Sequence, residues 1–103
     1  MEIAPLLAAM GTIERLLNKF YIDLIEARAE VETSLTLGLE RDAKPLERAK
    51  EKLATCPATR RVAKIVEKAI SALAEQKEEA LKLIDRALET LSSIEVEELV
   101  RCI

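Results

Sequence analysis

The feature that most constrains this chain is a heptad recurrence near its N-terminus. Ile3, Met10, Leu17, Leu24 and Val31 stand seven residues apart, with Leu6, Ile13, Phe20 and Ala27 interleaved. A pattern of this kind held over about five heptads describes a helix whose apolar edge is buried against other helices. Leu7, Leu16, Tyr21, Ile25 and Leu35 widen that edge, so the helix is expected to touch more than one neighbour. Pro5 suits an early helical position and Gly38 a C′ position, which places this helix at about 5–38, with Gly11 a point where it could kink or begin later at Thr12.

Three further helices follow from the same reasoning. Asp42 is a plausible N-cap for a short helix at about 43–55, whose only buried edge is Leu46, Ala49 and Leu53, so it reads as a connector or lid. Pro57 closes that helix and opens the next. Val62, Val66, Ile70, Leu73, Ala80, Ile84, Ala87 and Leu91 keep a 3-4 spacing and predict a long helix at about 58–91. Gln76-Lys77-Glu78-Glu79 interrupts the pattern with residues that all favour helix, so continuity is expected there and a turn is the alternative. Ser92 and Glu95 have capping-box spacing, which predicts a last helix at about 93–101.

Composition agrees. Phe20 and Tyr21 are the only aromatic residues, the glycines are Gly11 and Gly38, and the prolines are Pro5, Pro45 and Pro57. A β-rich fold needs more turn residues and more β-branched or aromatic runs than this. The fold class is all-α, one helical domain over 1–103.

Two helices of about 50 Å each would form a long antiparallel hairpin. The two short helices cover too little of it, and the uncovered stripe would exceed what a monomer exposes. Dimerisation that completes a helix bundle is therefore expected, with Met10, Ile13, Leu17, Phe20, Leu24 and Val31 as the dimer seam. A compact monomer made by breaking a long helix is the other solution.

The longest uncharged stretch, Ile3 to Ile13, is too short to span a bilayer, and Glu2 stands where a secretory leader would carry positive charge. A cytoplasmic protein without membrane contact is expected. Asn18 and Gln76 are the only side-chain amides, a thermophile-like composition that would tolerate an intracellular disulfide.

Catalytic chemistry fails by absence. Without histidine there is no Ser-His or Cys-His pair and no His-containing metal site, and no glycine-rich phosphate loop is present. Helical nucleotide pyrophosphatases pair Glu-Glu with a later Glu-x-x-Asp around Mg²⁺; Glu78 and Glu79 could supply the first pair, but Lys82 stands three residues before Asp85. No enzyme activity, cofactor or metal is expected.

Charge is distributed unevenly. Residues 41–68 hold nine bases against four acids, while residues 1–40 hold seven acids against three bases and 69–103 eight acids against four bases. Arg48, Lys52, Arg60, Arg61, Lys64 and Lys68 in the basic band are candidate contacts for an acidic partner or a nucleic acid. Arg60 and Arg61 fall where the helix dipole disfavours cations, so an anion there would be compensating.

Cys56 and Cys102 close the inventory. With a straight helix at 58–91, Cys56 lies about 50 Å from the far end and the last helix returns only about 13 Å. A disulfide needs Cα atoms within about 7 Å. Free thiols are expected, and any disulfide should be intermolecular. The leading expectation is a non-catalytic helical protein-protein interaction or scaffold module that self-associates. The alternative is a small helical nucleic-acid-binding protein or subunit using the basic band.

Overall fold

Gln76 decides the fold. In the computed structural model, which describes residues 11–38 and 43–103, its backbone is extended at φ −139°, ψ 105°, and it separates two α-helices of 16 residues each. The chain is helical from residue 11, passes through a π turn at Leu17–Tyr21, and continues as α1 (Ile22–Leu37). Then come α2 (Lys44–Ala54), a 3₁₀ turn (Pro57–Thr59), α3 (Arg60–Glu75), α4 (Lys77–Ser92) and α5 (Val96–Val100). No strand occurs among the described residues.

The continuous helix expected at 58–91 is therefore corrected to a hairpin of α3 and α4. Nothing in Gln76-Lys77-Glu78-Glu79 breaks a helix by propensity; the reason is tertiary. Folding back lets Val62, Val66, Ala69 and Leu73 bury against Ala80, Ile84, Ala87 and Leu91, all at most 3% exposed. The break leaves the first N–H groups of α4 without helical partners, while Gln76 N–H still donates to Ala72 O at 2.7 Å. Burial of a large apolar side chain stabilises by about 1.5–3 kcal/mol. A backbone hydrogen bond is worth about 1 kcal/mol net. Packing wins, as it does for most short helices.

Packing closes a ring: α1 lies against α2, α2 against α3, α3 against α4, and α4 against α1. Four helices of one chain thus complete a bundle core that the sequence suggested two chains would share. The short helix at 43–55 is not a lid. As α2 it buries Pro45, Leu46, Ala49 and Leu53 in the common core. Its N-cap is Ala43, and Asp42 lies outside the described residues.

Both ends of α1 follow backbone chemistry. Gly38 adopts φ 67° and donates its N–H to Ser34 O at 2.9 Å, the left-handed cap for which glycine is favoured. At the other end the π turn adds about one residue to the helical repeat. The core positions are consequently Leu16, Phe20, Leu24, Ala27 and Val31, and Ile13 and Leu17 leave the seam. That slip is the physical reason the heptad reading fails in this segment.

The last helix is shorter than expected. It begins at Val96 after Glu95, and no side chain caps it. The Ser92/Glu95 capping box does not form, because Ser92 still belongs to α4 and Ser93 Oγ donates to Thr90 O at 2.6 Å.

Candidate interaction surfaces

With the heptad seam redistributed, α1 is apolar on two faces. Leu24, Ala27 and Val31 point into the bundle, while Ile22 and Ile25 remain 46% and 53% exposed. The π turn brings Ile13 (56%) and Leu17 (45%) out of the core as well. Ala29, also exposed, continues the same side and lines a shallow dent with Glu32, Thr33, Thr36 and Leu37. The outward residues of α3 and α4 are, by contrast, mostly charged: Arg60, Arg61, Lys64, Glu67 and Lys68 on one, Glu78, Glu79, Lys82, Asp85 and Arg86 on the other.

Of the expected dimer seam, then, Phe20, Leu24 and Val31 are buried inside their own chain, Ile13 and Leu17 are exposed, and Met10 lies outside the described residues. Ile25 is one of the residues expected to widen the apolar edge, whereas Ile22, on the flank of the heptad stripe, is not legible from periodicity.

The six basic candidates fall into two groups. Arg48 and Lys52, one turn apart on α2, converge on Asp23 of α1. Arg48 Nε is 3.3 Å from Oδ1 and Lys52 Nζ 2.8 Å from Oδ2, and the Asp23 side chain is only 9% exposed. Arg48 also reaches Glu26 at 3.4 Å, and Lys52 Nζ donates to Asn18 O at 3.4 Å within the π turn. Lys50 pairs with Glu67 at 3.8 Å, tying α2 to α3. These cations are engaged by carboxylates of neighbouring helices.

Arg60, Arg61, Lys64 and Lys68 differ. All four are exposed, and none meets a carboxylate within ion-pair distance among the described residues. Arg60, Arg61 and Lys64 line a shallow depression with Pro57, Ala58 and Glu98. An adjoining one places Arg101 beside Pro57, Ala58 and Glu98. The sequence reading missed Arg101, which is 33 positions or more from the basic band and is brought there by folding.

A disulfide fixes that end of the molecule. Cys56 and Cys102 are bonded within the chain, with Cα atoms 5.7 Å apart, which corrects the expectation of free thiols or an intermolecular bond. The hairpin explains it: α3 carries the chain out by about 24 Å and α4 returns it by the same distance. Cys56 is fully buried, and Thr59 beside it is buried too, its hydroxyl donating to Leu53 O at 2.6 Å. Lys19 donates to the Cys102 carbonyl, so the π-turn segment meets the C-terminal segment here.

On the far side of α1, Arg28 bridges Glu32 at 2.9 Å and Asp85 of α4 at 2.6 Å. The hydrogen bond with Asp85 raises the Arg28 pKa above its ordinary value. Among the described residues no group of three or more cysteine or carboxylate side chains is placed to hold a metal ion, and no helix is long and apolar enough to cross a membrane.

No protein-family model matches the chain, and neither a curated protein nor a solved structure is significantly similar to it.

Proposed function

We propose that this chain is a non-catalytic helical interaction module that self-associates, and that the second copy docks on the outer face of α1. The observation that carries the reading is the two-sided apolar character of α1. Its inner residues complete the core, yet Ile13, Leu17, Ile22 and Ile25 remain at the surface. A helix apolar on both sides belongs between two partners. Large apolar side chains left exposed along one helical segment point to an interaction site. The bundle supplies one partner; a second α1 supplies the other by two-fold pairing of identical surfaces, the commonest closed arrangement of soluble oligomers.

The proposed interface keeps Ile13 and Leu17 of the expected seam and replaces its buried members Phe20, Leu24 and Val31 with Ile22 and Ile25. The bundle no longer needs a second chain to close its core, so the dimer is an association of two folded units.

Light scattering at two protein concentrations tests the proposal. A dimer mass is expected for the native chain, and a monomer mass for Ile25→Glu combined with Leu17→Glu, with helix content unchanged. A strict monomer at both concentrations refutes it. A dimer that survives both substitutions refutes the assignment to this face.

A further inference from the structure

We infer that the outer face of α3, together with Arg101, binds the phosphodiester backbone of a nucleic acid without reading its sequence. Arg60, Lys64 and Lys68 stand at i, i+4 and i+8, one row on one helix face rising about 6 Å per step. Arg61 flanks the row, and Arg101 joins it across Pro57 and Ala58.

The division of the basic residues supports this. Arg28, Arg48, Lys50 and Lys52 are each spent on carboxylates of their own chain, whereas the four α3 cations have no such partner among the described residues. Arg60 and Arg61 also occupy the first turn of α3, which contains no acidic residue and where the dipole disfavours positive charge. The cluster therefore does nothing visible for the fold. Glu98 is the acid that shares the depression, and Glu67, the nearest acid on α3 itself, is engaged by Lys50.

The kind of anion follows from what the face lacks. Protein interfaces require a desolvated apolar or aromatic centre. On α3 the apolar residues Val62, Val66, Ala69 and Leu73 are turned inward and fully or almost fully buried. The depression adds only Pro57 and Ala58 as apolar lining, so an acidic protein would find charge here but little apolar anchor. A phosphate backbone requires only charge, and its binding free energy comes from released counterions. Neither aromatic residue lies on this face, since Phe20 is buried and Tyr21 belongs to the π turn, so base stacking is not available. Sequence-independent binding is what remains.

Fluorescence anisotropy with a labelled random-sequence duplex and the corresponding single strand, starting at about 20 mM salt, tests the inference. Binding to the duplex should weaken with salt along a slope of about −4.5 in log K against log salt, for five phosphate contacts. Arg60→Glu with Lys64→Glu should reduce affinity at least tenfold, while Lys82→Glu with Arg86→Glu on α4 should leave it within about twofold, circular dichroism showing both variants folded. No binding at low salt overturns the inference, as does equal loss in the two variants. Displacement of the duplex by polyglutamate as readily as by unlabelled duplex also overturns it, and assigns the face to an acidic protein instead.

Discussion

Leu17 and Phe20 stand three residues apart in one helical segment yet face opposite ways: Phe20 is 1% exposed and Leu17 45%. In a regular α-helix residues at i and i+3 share a face. The π turn at Leu17–Tyr21 separates them, and Leu16 takes the core position that the heptad assigns to Leu17. Truncation measures this directly. Phe20→Ala should cost about 3–5 kcal/mol and Leu16→Ala about 2–5 kcal/mol, as buried side chains do. Leu17→Ala should cost less than about 1 kcal/mol in the monomer. Urea unfolding of the three variants at low protein concentration checks the order; a costly Leu17→Ala with a harmless Leu16→Ala would restore the unbroken heptad.

Gln76 offers a test in which the sign is the result. It is the N-cap residue of α4 with extended backbone and no side-chain cap, and Glu79 occupies N3. Gln76→Ser would complete a capping box with Glu79 and should stabilise by about 0.5–1 kcal/mol. For a domain of this size that raises Tm by a few degrees, on the order of 4 °C. In a continuous helix the same substitution would be destabilising by a few tenths of a kcal/mol, because serine is a poorer interior helix former. A fall in Tm would therefore contradict the hairpin.

How much of this was legible beforehand follows from these two positions. The helical class, the Gly38 terminus, the extended residue before Pro57 and the inward sides of α2, α3 and α4 were readable, because each depends on local chemistry or unbroken periodicity. The π turn was not, since Leu16 and Leu17 are both leucines and either can serve the core. The break at Gln76 is not legible, because Gln76, Lys77, Glu78 and Glu79 all favour helix and the apolar 3-4 spacing resumes beyond them. Only the packing of α3 on α4 distinguishes a hairpin from a rod. The expectation about the cysteines fails at that one residue.

The bond between Cys56 and Cys102 spans a separation of 46 residues. Chain-entropy arguments for a loop of that length give a stabilisation of about 4 kcal/mol relative to the reduced unfolded chain, at the upper end of what disulfides deliver. Cys102→Ser should therefore lower stability by about 2–4 kcal/mol and leave the helix content of the folded protein unchanged. Thiol titration of the denatured, unreduced protein should find no free thiol, and the protein should migrate as a monomer on a non-reducing gel. Two titratable thiols, or a dimer that reductant dissolves, would reject the intrachain assignment.

Asp23 yields the sharpest prediction about what holds α1 on α2. Its carboxylate is 9% exposed, while the Arg48 and Lys52 side chains that meet it are 47% and 43% exposed. Removing one cation leaves the other in place, so Arg48→Ala or Lys52→Ala alone should cost only about 1 kcal/mol. Removing both leaves a buried, uncompensated anion, for which the cost rises to about 3–5 kcal/mol. The double variant should thus lose more than the sum of the single losses, as expected for groups sharing one partner. Adding Asp23→Asn to the double variant should then recover stability, since the charge that lacked compensation is gone. Guanidinium chloride would screen these pairs, so urea unfolding at neutral pH is the appropriate measurement. Additive losses, or no recovery on adding Asp23→Asn, would mean that the carboxylate is hydrated in solution and that apolar packing alone joins the two helices.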